Sequence, residues 1–392
     1  MASKKDSQRP SVDCLVVSDI FPPTIGGSGR WLWEVYQRQD EGTCVVVAGC
    51  AENSKRVDEV YPQTVIRQKL MMKSRGVLNG KALRDYYRIS WVLRGIVKQY
   101  QPRIMHAARP LNEGLACRLT SMLTGVPYAC YVHGEDVNVA KTSRDLTFAT
   151  RFAIKGAVAL IANSTFTKQL LIDDWGVSPD RIVLMHPGVD TKRFANANVA
   201  VEGSKSLNLL TAGRLQKRKG HDVVIQALLE LMKLFPEVSY TVAGSGEELS
   251  SLQSLAKSLG VDDRVRFAGE VDDQQLVTLY HECDIFVLAN RAVGQDVEGF
   301  GIVLLEAQAS GKPVIAGRSG GTADTMVEGQ TGFLIDATTP DELIQCVREN
   351  LATAGQREAM GQAAVRHVQS NFDWEQLGKQ AKSRFEEILA KC

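Results

Sequence analysis

Leu207-Asn208-Leu209-Leu210-Thr211-Ala212-Gly213-Arg214-Leu215, with Lys219-Gly220 close behind, is the stretch on which the fold turns. An apolar run of strand length ends at a glycine and gives way to a helical pattern, so it reads as a strand-to-helix junction. It follows a polar stretch, 195–206, that has no sustained periodicity and includes Gly203 and Ser204. Ahead of it, strand-like runs at 14–18, 44–48, 104–107, 128–133, 159–162 and 182–186 alternate with helical segments; behind it a second series runs through 240–243, 265–268, 285–288, 313–316 and 332–335. The alternation implies right-handed β-α-β units and a parallel sheet, and the sheet starts again at Leu207. The reading is therefore α/β, with two Rossmann-like domains: 1–194, a linker at about 195–206, 207–373, and a C-terminal helix at 374–392 that packs back on the first domain.

Length agrees, because single cores stop growing at roughly 250–300 residues and the chain has 392. A net charge of +1 excludes a dedicated nucleic-acid binder, which would be strongly basic. No apolar run approaches the ~20 residues that span a bilayer, and the short polar start at 1–10 does not read as a signal peptide. A cytoplasmic protein is expected, any membrane contact being peripheral. The eight cysteines show no paired spacing of a zinc site or disulfide framework, so no metal is expected.

Three motifs carry chemistry. The first strand run ends in Ser18-Asp19-Ile20-Phe21-Pro22-Pro23-Thr24-Ile25-Gly26-Gly27-Ser28-Gly29-Arg30, and a helical pattern opens at Trp31. Such a turn brings backbone N–H groups to an anion where the helix dipole is positive, which makes Gly26 and Gly27 candidate diphosphate contacts; a tight turn without a ligand is the alternative. Arg214 and Lys219 place two cations at the carboxyl end of a parallel strand, where open sheets bind ligands, and suit a diphosphate leaving group. A solvated basic loop competes with that reading, since Lys217 and Arg218 lie there too. The strongest signal is Glu298-Gly299-Phe300-Gly301-Ile302-Val303-Leu304-Leu305-Glu306. One acid falls in the loop at a helix N-terminus and the other about two turns inside, where a buried carboxylate needs a partner such as sugar hydroxyls. A strand at 311–316 and a glycine-rich loop at 317–322 would close a nucleotide pocket.

With these motifs in this order, together with Pro187-Gly188-Val189-Asp190-Thr191 and Phe194, the chain resembles the retaining GT-B glycosyltransferases of family 4 over nearly its whole length. Within that family it is most similar to the mannosyltransferases of phosphatidylinositol mannosides. The resemblance implies two domains whose parallel sheets face across a cleft. It also implies a nucleotide-sugar donor, GDP-mannose favoured, and a glycan or glycolipid acceptor. Arg214 and Lys219 would clamp the diphosphate, helped by amides at Gly27 and near Ile302, Val303 and Leu304. Glu306 would hold the ribose. Glu298, with amides of Gly299, Phe300 and Gly301, would hold the transferred sugar, and His133 would line the reaction centre. Val271 would meet the base, and Asp273 would accept from guanine, whose edge presents two N–H donors where uracil presents one. No cofactor is implied, since protein cations do the work of a metal. A UDP-sugar donor with a soluble or polysaccharide acceptor is the alternative; an epimerase or a non-catalytic sugar-nucleotide binder fits the paired glutamates and intact cations less well.

Between Arg67 and Arg103 the chain carries ten cations, Arg67, Lys69, Lys73, Arg75, Lys81, Arg84, Arg88, Arg94, Lys98 and Arg103, against Asp85 alone. Lys81, Arg84, Arg88, Arg94 and Lys98 share a broad helix face, with Leu83, Tyr87, Val92, Leu93 and Ile96 elsewhere on the helix. A basic amphipathic helix reads as a contact with anionic membrane, or else as a solvated face whose apolar side packs on the sheet.

Overall fold

The structure is a computed structural model and describes residues 11–24, 26–72, 80–195 and 206–392. The linker expected at 195–206 falls almost wholly outside the described residues, as do 1–10, Ile25, Lys73 and Arg75. The chain divides into two compact units, Met1–His186 with Leu377–Cys392, and Pro187–Gln376.

In the first unit the strands are β1 (Cys14–Ser18), β2 (Cys44–Gly49), β3 (Thr64–Gln68), β4 (Ile104–Ala107), β5 (Tyr128–Val132), β6 (Ala159–Ala162) and β7 (Ile182–Leu184). They form one sheet in the order β3-β2-β1-β4-β5-β6-β7, and every pairing is parallel. Each residue of β1, β2 and β5 is buried, as expected where crossover helices cover both faces and leave no polar side. β3 was not anticipated from the sequence: it is a partly exposed edge strand, Thr-Val-Ile-Arg-Gln, without a continuous apolar run. The order reverses at β1, whose neighbours are β2 and β4.

The second unit holds β8 (Ser206–Ala212), β9 (Glu237–Ala243), β10 (Val265–Gly269), β11 (Ile285–Leu288), β12 (Val314–Gly317) and β13 (Gly332–Ile335). Their order is β10-β9-β8-β11-β12-β13, again wholly parallel. Here the order reverses between β8 and β11. In sheets of this kind the crevice beyond the carboxyl ends of the strands at the reversal is the ligand-binding position.

The chain re-enters the first unit in the helix Trp374–Leu389. Phe385 stacks on Tyr36 at 5.5 Å and lies 4.8 Å from the His106 ring, and Lys382 reaches Asp40 at 2.6 Å. His106 is fully enclosed, with Nδ1 2.5 Å from the Tyr36 hydroxyl. Burial lowers His106 to about 3 and, in the second unit, His221 to about 4. Both rings stay neutral in the folded chain, whereas the unfolded chain takes up those protons near pH 6.5. Their contribution to stability is complete above that pH and is lost as the pH falls toward the folded values. Between pH 6.5 and 5 the loss is about 2 kcal/mol per histidine. Urea midpoints at pH 7 and pH 5 measure it, and a variant carrying His106→Asn and His221→Asn should lose most of the difference.

Candidate functional site

At the reversal point of the second unit, β8 runs into Gly213 and Arg214, then a short 3-10 turn, Lys217–Lys219, and the helix His221–Leu234. Gly220 makes this turn possible: it holds φ +72, and a side chain there would come within 1.7 Å of the Ala289 carbonyl at the end of β11. The backbone is pinned further by the Arg291 N–H, which donates to the Arg218 carbonyl at 2.9 Å, and by the Arg291–Asp222 ion pair at 2.6 Å.

The turn is not a solvated basic loop. Lys219 Nζ lies 2.5 Å and Arg218 Nη1 2.6 Å from the same oxygen of Glu298, and Arg218 Nε is 3.0 Å from Asp296. Arg218 keeps 3% and Lys219 10% of side-chain exposure, so neither cation is chiefly solvated. Burial alone would push the Glu298 carboxyl up; Lys219 and then Arg218 override it and hold the group below the usual carboxylate range. Arg214 contrasts with both. It is exposed and its side chain makes no ion pair or hydrogen bond with the described residues.

Glu298 lies in the loop ahead of the helix Ile302–Ala309. Glu306 is one turn into that helix, not two, and is half-buried; the Tyr280 hydroxyl donates to its Oε2 at 2.8 Å. The fully enclosed acid is thus Glu298, and its partners are protein cations. Gly301 caps the helix at φ 91 and its carbonyl takes the Leu304 N–H at 2.9 Å, so that amide, expected at the diphosphate, already has an acceptor. Gly299, Phe300, Gly301, Ile302 and Val303 follow Glu298 into this N-terminus, with Phe300 buried and Ile302 and Val303 half-buried. The glycine-rich loop after β12 seals the site from the other side. Gly320, at φ +73, passes so close that a side chain would stand 1.9 Å from the Glu298 carbonyl, which takes the Gly321 N–H at 2.9 Å. Asn290, at the end of β11, ties this loop down by donating to the Ser319 carbonyl at 2.7 Å and accepting the Gly317 N–H at 3.0 Å. Arg218, Asn290 and Tyr280 are part of this arrangement although sequence reasoning did not select them; an asparagine two residues beyond the apolar run 285–288 was the one visible sign.

Val271 packs on the apolar cluster around Tyr280. Asp273 opens the helix Asp273–Glu282, while its neighbour Asp272 forms the capping box. The Asp273 carboxylate is 80% exposed and 3.1 Å from Arg193, which also donates to the Asp273 carbonyl at 3.2 Å. The acid chosen for guanine therefore has a cation on it.

The remaining candidates belong to the first unit. The helix after β1 spans Gly27–Tyr36, four residues earlier than the apolar pattern suggested, so Gly27 stands in its first turn and Gly26 just before it. His133 follows β5. Its Nε2 is 2.9 Å from the Ala108 carbonyl, and since a carbonyl only accepts, Nε2 carries a proton and donates it there. Trp31 lies edge-on at 5.5 Å, and the His133 N–H is 3.2 Å from both oxygens of Asp136, whose carboxyl is pushed up by burial against the pull of His133.

Two all-parallel units of these strand orders define a two-domain Rossmann-like protein of the GT-B type. Anabaena HepE, solved with UDP and glucose, superposes with a TM-score of 0.76 at 20% identity, over 96% of this chain and 99% of that one, which establishes the fold. The chain belongs to the family 4, group 1 glycosyltransferases: "Glycosyltransferase Family 4" matches residues 25–193 and "Glycosyl transferases group 1" matches 193–367. It is similar to the GDP-mannose-dependent alpha-(1-6)-phosphatidylinositol monomannoside mannosyltransferase of Mycolicibacterium smegmatis, 37% identical over 213 residues. That match spans about half of each protein, 52% of this chain and 55% of the relative. The monoacylated-substrate mannosyltransferase of Corynebacterium glutamicum is 29% identical over 93% of this chain and 95% of its own length.

Proposed function

We propose that the chain is a retaining hexosyltransferase that moves a sugar from a nucleoside-diphosphate sugar to a hydroxyl of a glycan or lipid-linked acceptor, with GDP-mannose as donor. The observation that carries this is the Arg214, Lys219 and Glu298 arrangement at the reversal point of the second sheet. An exposed arginine that pairs with none of the described residues precedes by five residues a lysine anchored by a buried carboxylate, so a departing diphosphate meets two cations, one of them already held in place. The lysine can bridge Glu298 and a phosphate oxygen. Glu298 orients the sugar. A carboxyl held below its usual range is a poor proton donor at neutral pH, where a general acid needs a raised pKa. Retention follows if the acceptor hydroxyl attacks the face the diphosphate leaves, its proton passing to a phosphate oxygen.

GDP-mannose is favoured because both relatives are GDP-mannose-dependent. The Arg193–Asp273 pair favours a UDP-sugar as the second reading, because the carboxylate proposed for guanine already faces a guanidinium. Acceptor-free nucleotide release from GDP-mannose, UDP-glucose and UDP-N-acetylglucosamine separates the two. Selective GDP release supports the mannosyl reading; selective UDP release removes guanine recognition and keeps the transferase.

A membrane-facing surface supports the lipid-linked acceptor, although not as the basic pattern alone suggested. Arg67 lies on β3, in an ion pair with Asp58 at 2.6 Å, and is withdrawn from any membrane. In the helix Gly80–Tyr100 the inward face is Ala82, Tyr86, Ile89, Leu93, Ile96 and Val97. Leu83 and Tyr87 are exposed with Trp91, at 50%, 65% and 51%, and form a stripe at i, i+4, i+8. Tyr87 and Trp91 stack at 5.9 Å, and the Arg94 guanidinium lies 4.7 Å from the Trp91 ring. Exposed Lys81, Arg84 and Lys98 flank the stripe. Aromatic rings at headgroup depth with cations beside them suit a peripheral contact with an anionic leaflet. Among the described residues no helix is long and apolar enough to cross a membrane. Replacing both Tyr87 and Trp91 by alanine should weaken binding to phosphatidylserine vesicles at least about tenfold, the loss of roughly 1.4 kcal/mol of burial; salt-insensitive or unchanged flotation contradicts it.

A further inference from the structure

We propose that Cys14 and Cys44 form a reversible disulfide that cross-links β1 to β2 when the chain meets a hydroperoxide. This holds whether or not the chain transfers a sugar.

The two residues are 30 positions apart and open their strands, and the parallel register sets Cys14 directly beside Cys44. Register partners on neighbouring strands project from the same face. Their Cα atoms stand about 4.8 Å apart, inside the window of about 4.4–6.8 Å that a disulfide spans. The thiols already touch: Cys14 Sγ donates to Cys44 Sγ at 2.9 Å, about 1 Å longer than the covalent bond, so closure asks for little backbone movement. Surrounding bonds hold that register. The Asp13 and Cys14 N–H groups both donate to the Thr43 carbonyl, at 2.8 and 3.3 Å. Gln63, one residue before β3, takes the Cys44 N–H on its Oε1 at 3.1 Å, while its Nε2 donates to the carbonyls of Tyr36, Gln39 and Asp40.

Both thiols are buried, but each lies one residue inside the surface, behind exposed Asp13 and half-buried Thr43, whose hydroxyl is 3.7 Å from Cys44 Sγ. Local opening at the strand ends admits a small neutral oxidant there. The Cys44 contact first, and burial second, hold the Cys14 thiol well above its usual range, so Cys14 rests as a thiol and oxidises more slowly than an activated cysteine. With hydrogen peroxide, one thiol attacks, the O–O bond breaks, and a sulfenic acid and one water form. The other thiol then displaces the sulfenic oxygen, which leaves as a second water, and the Sγ–Sγ bond forms; two electrons pass from the sulfurs to the peroxide. The bond closes the segment 15–43, which holds Gly26 and the helix Gly27–Tyr36. It restrains the unfolded chain far more than the folded one and so stabilises the first unit.

Hydrogen peroxide treatment of the full chain, followed by unfolding, alkylation and tryptic mass spectrometry, tests this. Cys50→Ser serves as parent, because exposed Cys50 shares a tryptic peptide with Cys44. Exposed Met122 reports, as its sulfoxide, that the oxidant was delivered. The peptides carrying Cys14 and Cys44 should appear joined, and should separate with dithiothreitol. The oxidised parent should melt about 5 °C or more above its reduced form, and dithiothreitol, which leaves the sulfoxide in place, should remove the rise. Cys14→Ala and Cys44→Ala in the same parent, each compared with its own reduced form, should show no rise. Oxidised Met122 without the joined peptide, or the joined peptide with an unchanged or lower Tm, overturns the proposal.

Discussion

Glu298→Ala is expected to destabilise the second unit by about 3–5 kcal/mol and to abolish sugar transfer, and Arg218→Ala to reproduce much of both effects. Removing Glu298 leaves Lys219 without its partner beside Arg218, which keeps only Asp296, and little water reaches either cation, since their side chains are 10% and 3% exposed. An uncompensated buried charge costs far more than a surface pair, whose loss amounts to about 0–1 kcal/mol. The catalytic loss follows from the proposed roles: without the carboxylate Lys219 loses its ion-pair partner, and the sugar loses the group proposed to orient it. Denaturant unfolding and turnover, measured on the same samples, should fall together. Wild-type stability in Glu298→Ala would show that the pairing seen here does not support the fold.

Arg214→Ala should behave in the opposite way. Arg214 is exposed and pairs with none of the described side chains, so stability should shift by no more than about 0.5 kcal/mol. In the proposed reaction its charge meets a diphosphate that bears most negative charge as the sugar departs, and losing one such group costs on the order of 10²–10³ in kcat. A rise in KM with kcat unchanged would instead mean that Arg214 contributes only uniform binding. The two variants thus separate the scaffold of the site from the group that acts on the donor.

Much of this was legible in the sequence because doubly covered parallel strands must be apolar throughout. Leu207–Ala212 and Cys14–Ser18 read as strands for that reason, and the glycines and charges that follow them mark the ligand end of each sheet. β3 escaped because an edge strand can be polar. Arg218 escaped because a cation in a basic run looks solvated; its burial depends on Glu298, 80 residues away, a pairing that no local pattern reveals. Leu83 and Tyr87 were wrongly counted away from the exposed face of their helix, since phase on an amphipathic helix is fixed only when its packing partner is known. The partner here is the helix Leu115–Thr124, which Ser90 meets through the Ala116 carbonyl at 3.3 Å. Family and enzyme class were legible from joint motif order; the donor base was not, because the Arg193 on Asp273 comes from outside that motif.

We propose that the crevice of the second sheet holds the nucleoside diphosphate. Hydrogen-exchange mass spectrometry with and without GDP or UDP tests it most directly. One of the two should slow exchange in peptides covering 213–220, 298–306 and 317–322, and Arg214→Ala should weaken the protection. Protection confined to other segments, or none with either nucleotide at millimolar concentration, would contradict it.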